Sequence, residues 1–266
     1  MDADPPLADL PPAAQLRDAA TELADLADPL AMRHFGGAVA SVAKPDGSPV
    51  TAADHAVEAA LRQRIGAVYP THAILGEEEG GAIDPRRPTW VIDPIDATRN
   101  FMRGIPVFAT LIALVADGRA VVGVASAPAM GERWDAATGL GARRNGAAVG
   151  VSAVADLGDA LVCHGGLEWF RERPADWERL GSISDATDRM RGFGDFWMHL
   201  LVAGGMAEAA FERDLSLWDI GALACLVPEA GGVVTTWQGG DPLSGDGSVL
   251  SSNGLVHDDV RGLLAG

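Results

Sequence analysis

Apolar residues recur every three or four positions in two N-terminal stretches of the chain, which is the period of an amphipathic helix. The first stretch covers residues 12–35 and the second covers residues 51–66. The second stretch begins with Thr51 and Asp54, residue types that often cap the start of a helix. Both patterns predict helices that bury one face.

Short apolar runs rich in β-branched residues follow these helices and predict strands. The runs 73–75 and 89–92 each end in an acidic segment. The runs 107–115 and 120–127 are separated by Asp117-Gly118, which predicts a β-hairpin. The N-terminal half is therefore predicted to contain a sheet.

Strands and helices alternate beyond about residue 150. The predicted strands cover 160–163, 233–237 and 249–251, and the predicted helices cover 196–209 and 218–230. A chain of 266 residues is long enough for two modest domains. The change of pattern predicts an N-terminal α+β domain at residues 1–148 and a C-terminal α/β domain at residues 149–266.

The composition excludes several classes of protein. With 20 Lys and Arg against 37 Asp and Glu, the net charge is −17, which repels a nucleic-acid backbone. The longest apolar run, residues 107–116, is far shorter than the roughly 20 residues of a membrane helix. The acidic first residues lack the features of a secretory signal, and two distant cysteines do not form a zinc motif. We expect a cytoplasmic protein that binds neither nucleic acid nor membrane.

Acidic residues lie where predicted strands end or helices begin. Glu77-Glu78-Glu79 follow the run 73–75, Asp93 and Asp96 follow the run 89–92, and Asp219 begins the helix at 218–230. Such loop positions present side chains to a cleft. A glutamate run is more often a solvated surface, and one aspartate at a helix start is usually a cap. Glu78 and Glu79 are accordingly interpreted as solvated.

The segment Asp93-Pro94-Ile95-Asp96 carries the strongest chemical signal. Two carboxylates in a stiff turn after a buried strand repel each other unless a cation neutralises them. Oxygen ligands without nearby His or Cys favour Mg²⁺, and such ions activate water for attack on a phosphoryl group. The turn at 97–100 then predicts a helix start suited to phosphate, with the Thr98 hydroxyl close by. The residues therefore predict a metal-assisted phosphate site.

These motifs resemble those of the inositol monophosphatase family of Mg²⁺-dependent, lithium-sensitive phosphatases. The family signature D-P-[IL]-D-G-T-x-N-F matches residues 93–101, and W-D-x-x-[AG]…E-A-G-G matches residues 218–232. Supporting segments are Val50-Thr51-Ala52-Ala53-Asp54 with Glu58, Gly76-Glu77-Glu78, Gly141-Ala142 with Asn145-Gly146, and Ser252-Asn253-Gly254. They occur in family order over residues 15–262. Within the family, segments 101–114, 191–196 and 200–205 most resemble histidinol-phosphate phosphatases.

The resemblance implies an α+β fold, a layered α/β/α/β/α sandwich of the inositol monophosphatase and sugar phosphatase type, and a homodimer. It implies two or three Mg²⁺ ions per site, held by Glu77, Asp93, the Ile95 carbonyl, Asp96 and Asp219. It also implies that Asp54, Glu77 and Thr98 act on the attacking water, and that the N–H groups of Ala97 and Thr98 bind phosphate. Arg191 and Asp195 are candidates for the organic part of the substrate, although Arg191 could equally pair with a surface acid.

The chain departs from the family pattern at Ala97, where the family has Gly. If φ at this position is positive, Ala costs about 1 kcal/mol of strain, because glycine alone adopts that backbone freely. If φ is negative, the methyl group only crowds the phosphate pocket. Arg99 also stands where the histidinol-phosphate subgroup more often has Lys.

The leading hypothesis is a phosphatase that converts L-histidinol phosphate and water to L-histidinol and phosphate in histidine biosynthesis. The expected partner is thus a small phosphorylated metabolite. One alternative is an inositol monophosphatase, or a sugar- or cyclitol-phosphate phosphatase of secondary metabolism. A second is an inactive regulator that binds phosphate or metal, which Ala97 alone motivates. The retained acidic set and Thr98 argue against the regulator.

Overall fold

The computed structural model describes residues 10–36, 41–43, 49–171 and 173–265, with only the backbone described at residues 41, 43 and 169. The helices are α1 (Ala13–His34), α2 (Ala52–Val68), α3 (Thr98–Met102), α4 (Leu167–Arg171), α5 (Pro174–Ala186), α6 (Asp195–Ala203), α7 (Leu217–Gly221), α8 (Leu223–Glu229) and α9 (His257–Ala265). The strands are β1 (Ser41–Ala43), β2 (Pro49–Thr51), β3 (Ala73–Gly76), β4 (Thr89–Asp96), β5 (Ala109–Ala116), β6 (Arg119–Ala127), β7 (Glu132–Ala137), β8 (Ala142–Arg144), β9 (Ala147–Ala148), β10 (Leu161–His164), β11 (Arg189–Gly192), β12 (Ala209–Glu212), β13 (Val233–Thr235) and β14 (Val249–Ser252).

The first sheet contains, within the described ranges, seven strands in the order β3-β4-β5-β6-β7-β8-β9. β3 and β4 are parallel, and each later pair is antiparallel. Every residue of β4 and β5 is buried, so both faces of these central strands are covered. Fully buried strands of this kind read as continuous apolar runs, which is why the sequence marked them clearly.

The second sheet has the order β11-β10-β12-β14-β13 among the described residues. β10 is parallel to β11 and to β12, whereas β14 is antiparallel to both of its neighbours. The parallel pairs need crossover connections, which α4, α5 and α6 supply.

Helices and sheets alternate through the molecule in five layers. α1 and α2 cover the outer face of the first sheet, where their apolar faces pack on alternate residues of β4 and β5, such as Ile92 and Ile112. α6, α7 and α8 lie between the sheets, and α4, α5 and α9 cover the outer face of the second sheet. The predicted α/β/α/β/α sandwich is confirmed.

Individual elements agree with the sequence patterns except in the C-terminal half. α1, α2 and the β5-β6 hairpin lie where they were predicted. The predicted helix at 196–209 was wrong beyond Ala203, because Gly204-Gly205 ends α6 and Ala209 begins β12. The predicted helix at 218–230 is divided into α7 and α8 at Ala222.

One apolar core contains residues from both halves of the chain. Leu111 and Trp134 of the first sheet pack in the same cluster as Cys163 and Leu200. The first sheet ends at Ala148, where the domain border was predicted. Because one core joins both halves, the division into two domains stays a prediction. As for membranes, no helix in the described part combines the length and apolar character that crossing a bilayer demands.

Gly123 in β6 allows α8 to lie close to the first sheet. A Cβ atom at this position would lie 2.4 Å from the carbonyl oxygen of Ala222 and 3.0 Å from the Cβ atom of Cys225. We expect Gly123→Ala to lower the free energy of unfolding by about 1–3 kcal/mol, because the added methyl group overpacks the interface. Urea denaturation measures the change.

Gly66 in α2 is the matched control, because a Cβ atom there would meet nothing within 4 Å. Gly66→Ala should raise the free energy of unfolding by up to about 1 kcal/mol through helix propensity. Equal stability of wild type and Gly123→Ala would contradict the close approach.

Candidate metal and phosphate site

Acidic side chains from separate elements converge at the end of the first sheet. Carboxylate oxygens of Asp93, Asp96 and Asp219 lie within 4.8 Å of one another, and those of Asp54, Glu77 and Glu78 form a second group of the same size. The charge of Glu77 contributes to the raised pKa of Asp93, so the two groups adjoin. We call the two groups together the acidic cluster.

A β-bulge brings Asp93 and Asp96 to the same side of β4. Asp93 pairs with Leu111 and Asp96 pairs with Ala109, so three steps along β4 match two steps along β5. In a regular strand, residues three apart point to opposite faces. The extra residue corrects this parity, and bulges commonly redirect side chains beside active sites.

Each aspartate of the acidic cluster is oriented by a backbone N–H group that donates to one of its oxygens. The donor–acceptor distances are 2.8 Å from Thr51 to Asp54 Oδ2, 3.0 Å from Ile95 to Asp93 Oδ1, 2.9 Å from Phe196 to Asp96 Oδ2, and 2.7 Å from Ser216 to Asp219 Oδ2. Asp54 and Asp219 thus also act as helix-start residues, in addition to their place in the cluster. Because a hydrogen bond holds one oxygen of each carboxylate, the other oxygen is free to bind a metal ion in a fixed orientation.

The donor set fits a hard divalent cation. Asp54 Oδ1 is buried and has no hydrogen-bond partner in the described part of the chain. Burial, together with the charges of Glu77, Asp96 and Asp219, raises the pKa of Asp93 well above its usual range. Burial likewise raises the pKa of Asp96, with the charges of nearby carboxylates adding to it. Because every ligand is an oxygen, such a cluster suits Mg²⁺ or a similar ion.

The backbone after Asp96 forms the start of α3. The Thr98 hydroxyl donates to the Ile95 carbonyl at 3.0 Å, which keeps that carbonyl oriented toward the turn. Ala97 has φ 64° and ψ 45°, so it occupies the left-handed region that favours glycine. Of the two alternatives for Ala97, positive φ with backbone strain is therefore the one that the structure shows. Ala97 and Thr98 both line a cavity of about 430 Å³.

The second half of the chain supplies an acidic wall to this cavity. Glu168, Asp195 and Glu212 line it from α4, α6 and β12. Burial and the charge of Glu168 raise the pKa of Asp195. Burial first, then the charges of Asp195 and Asp219, raises the pKa of Glu212 to about 8. Glu212 Oε2 is buried without a hydrogen-bond partner among the described residues.

Two acidic residues near the site were missed in the sequence. Glu78 was interpreted as solvated, yet it is half-buried and its carboxylate belongs to the acidic cluster, so that interpretation was wrong. Glu79 is exposed, as expected. Glu212 was not singled out, although it ends an apolar strand in the same way as Glu77 and Asp93 follow theirs.

The two predicted substrate contacts lie in different surroundings. Asp195 lines the cavity, whereas Arg191 is exposed and lies outside the cavity lining. The Arg191 guanidinium donates to the Met190 carbonyl at 2.8 Å. The cavity geometry thus offers no support for a substrate contact by Arg191, which stays a prediction.

Comparisons with known proteins agree with this geometry. Residues 13–264 match the model of the inositol monophosphatase family. The chain is 44% identical to a histidinol-phosphatase of Mycobacterium tuberculosis, over 91% of this chain and 94% of the relative. It is 36% identical to an inositol-1-monophosphatase of Mycobacterium leprae, over 86% and 82% of the two chains. An IMPase structure from Thermotoga maritima superposes with a TM-score of 0.85 at 29% identity, covering 95% of this chain and 97% of that one.

Ala97→Gly should stabilise the protein. Because Ala97 has a positive φ, replacement by glycine removes backbone strain, and we expect the free energy of unfolding to rise by about 0.5–1 kcal/mol. Urea denaturation of the metal-free protein measures it. Ala59→Gly, at an exposed position inside α2, is the control and should lower stability by about 1 kcal/mol. If both variants lose stability, the inference that the backbone at Ala97 is strained is wrong.

Stabilisation by Mg²⁺ should grow with pH. Because the folded pKa of Asp93 and Asp96 is raised, their protonated forms favour folding at acid pH, and this contribution is lost as pH rises through the folded pKa. Metal binding needs the ionised forms, so excess Mg²⁺ should raise Tm more at about pH 8 than at about pH 5. Differential scanning calorimetry gives both values. Equal increases at the two pH values, or an undiminished increase in Asp93→Asn, would place the ion elsewhere.

Proposed function

The chain belongs to the inositol monophosphatase family and is a phosphoric monoester hydrolase, and we propose that its substrate is L-histidinol phosphate. The observation that carries this proposal is the acidic wall of the cavity beside the acidic cluster. The phosphate would lie at Ala97 and Thr98, and the leaving group would face Asp195 and Glu212. Histidinol carries an ammonium group and an imidazole, both of which can be cationic, and such groups pair well with buried carboxylates.

In this proposal, Glu77, Asp93, the Ile95 carbonyl, Asp96 and Asp219 hold two or three Mg²⁺ ions. When bound, the ions supply positive charge for the phosphate oxygens and lower the pKa of water. The chain's own groups then orient the reactants. Asp54 Oδ1 is buried without a hydrogen-bond partner among the described residues. Asp54 and Glu77 would take the proton of the attacking water, and the Thr98 hydroxyl would orient that water.

The backbone N–H groups of Ala97 and Thr98 would hold the phosphate oxygens at the start of α3. The left-handed backbone at Ala97 sets the direction of these groups. The acidic wall keeps the amino alcohol in place while the phosphorus–oxygen bond breaks. Water supplies the proton that the leaving alkoxide needs.

A second candidate function is hydrolysis of an inositol phosphate or a related sugar or cyclitol phosphate. The similarity to the inositol-1-monophosphatase of Mycobacterium leprae favours it. An uncharged cyclitol, however, would bring no positive charge to the acidic wall of the cavity. Removing a negative charge from the acidic wall should therefore raise KM for histidinol phosphate but not for a cyclitol phosphate.

The resemblance to the family supports the remaining parts of the proposal. They are a homodimer, a place in the cytoplasm, a role in histidine biosynthesis, and the division into domains at residue 148. The greater similarity to a histidinol-phosphatase than to an inositol-1-monophosphatase supports the pathway.

A panel of phosphomonoesters tests the substrate. We expect Mg²⁺-dependent phosphate release with kcat/KM at least about tenfold higher for histidinol phosphate than for inositol 1-phosphate or a sugar phosphate. Asp195→Asn should raise KM for histidinol phosphate about ten- to a hundredfold, since a hydrogen bond to a charged group contributes about 1.5–3 kcal/mol. KM for inositol 1-phosphate should change little.

Faster turnover of inositol phosphate would overturn the substrate assignment and favour the second candidate. Asp93→Asn is the control for the site and should abolish hydrolysis of every ester. A metal-dependent activity that this change leaves intact would mean that the site lies elsewhere.

A further inference from the structure

Glu58 is a fully buried carboxylate that lies outside the acidic cluster. It is on α2, one turn after Asp54. Its Oε2 accepts the N–H group of Glu78 at 2.7 Å, and its Oε1 accepts the N–H group of Glu79 at 3.0 Å. Oε1 also accepts the Arg62 guanidinium at 2.8 Å. Three donors therefore hold this one side chain.

Arg62 extends these contacts to the far side of the turn. Its Nη2 donates to the Gly80 carbonyl at 2.5 Å, while the N–H group of Gly76 donates to the same carbonyl at 3.0 Å. The turn at 76–80 is thus closed around the side chains of Glu58 and Arg62. A Cβ atom at Gly76 would lie 2.1 Å from Glu58 Oε1, so only glycine leaves room for this carboxylate.

Glu77 is the second residue of this turn. Its own N–H group donates to the Ile92 carbonyl at 3.2 Å, and Glu58 binds the next two N–H groups. The backbone is thereby held on both sides of the residue whose carboxylate joins Asp54 in the acidic cluster. Because Asp54 and Glu58 are four residues apart, they lie on the same face of α2. One helix therefore carries a cluster carboxylate and also holds the loop that carries two others.

We propose that Glu58 is a positioning residue that sets the affinity of the acidic cluster for its divalent cation. It does so by keeping the loop of Glu77 and Glu78 at a fixed place relative to Asp54. The inference rests on the proposed function only in requiring that the cluster binds an ion. It differs from a simple role in stability, because it ties Glu58 to the binding constant of the metal.

Glu58→Gln tests this role with little change in shape. The variant has one oxygen for two N–H groups, so one donor of the turn loses its acceptor. We expect the Kd for Mn²⁺, an ion with the same oxygen preference as Mg²⁺, to rise about ten- to a hundredfold, the usual effect of removing a group that orients a ligand. Free Mn²⁺ is measured by electron paramagnetic resonance on the metal-free protein without substrate.

Glu229→Gln is the matched control. Glu229 also accepts two backbone N–H groups of a turn, from Gly139 at 2.9 Å and Gly141 at 2.8 Å, but it is not part of the acidic cluster. Tm should fall in both variants, whereas the Kd for Mn²⁺ should rise only in Glu58→Gln.

An unchanged Kd in Glu58→Gln, with wild type binding Mn²⁺, would overturn the positioning role. If wild type itself binds no Mn²⁺, the metal site of the proposed function fails instead. Should Glu58→Gln not fold, Arg62→Lys replaces it, because a single ammonium cannot reach Glu58 and the Gly80 carbonyl as the planar guanidinium does. The Kd for Mn²⁺ should then rise about threefold or more, and an unchanged value would again reject the inference.

Discussion

Repulsion among buried carboxylates is the constraint on which this site depends. Asp93, Asp96 and Asp219 would move apart if they were free, since like charges interact strongly where water is scarce. They stay together because each accepts a backbone N–H group. Apolar packing also covers both faces of β4 and holds α7 against one of them. Folding thus holds together carboxyls whose pKa is raised, and a divalent cation would favour their ionised forms. The core contributes to function by holding this arrangement in place.

The layered fold also brings acidic residues from both halves of the chain to one place. The first sheet and α2 supply most of the acidic cluster, and α7 between the sheets adds Asp219. The N–H group of Phe196, in the first turn of α6, donates to Asp96. The adjacent Asp195 lines the cavity, so one turn of helix links a cluster carboxylate to the acidic wall. The acidic cluster and the acidic wall of the cavity are therefore joined by a hydrogen bond between the two halves of the chain.

Ala97 illustrates how backbone strain is located beside the acidic cluster. Its left-handed backbone lies between the bulge that directs Asp96 and the N–H groups at the start of α3. The signature that residues 93–101 resemble has glycine at this position, whereas the surrounding structure here imposes a positive φ on alanine. The acidic cluster is retained around it. Residue 76 also requires glycine, but the reason there is the space that Glu58 occupies rather than the backbone angle.

Local pattern alone determined much of this protein: α1, α2, the hairpin at Asp117-Gly118, and carboxylates at the ends of buried strands. These features depend on contacts between near neighbours in the chain, and the motif at 93–101 then indicated the chemistry. The inward direction of Glu78 and the acidic wall formed with Glu212 could not be predicted in this way. Only tertiary structure decided them, because the direction of a loop side chain depends on partners that are distant in sequence. Glu58 lies 20 residues before the N–H group of Glu78 that it binds, and the pairing of β4 with β5 creates the bulge that turns Asp96 toward Asp93.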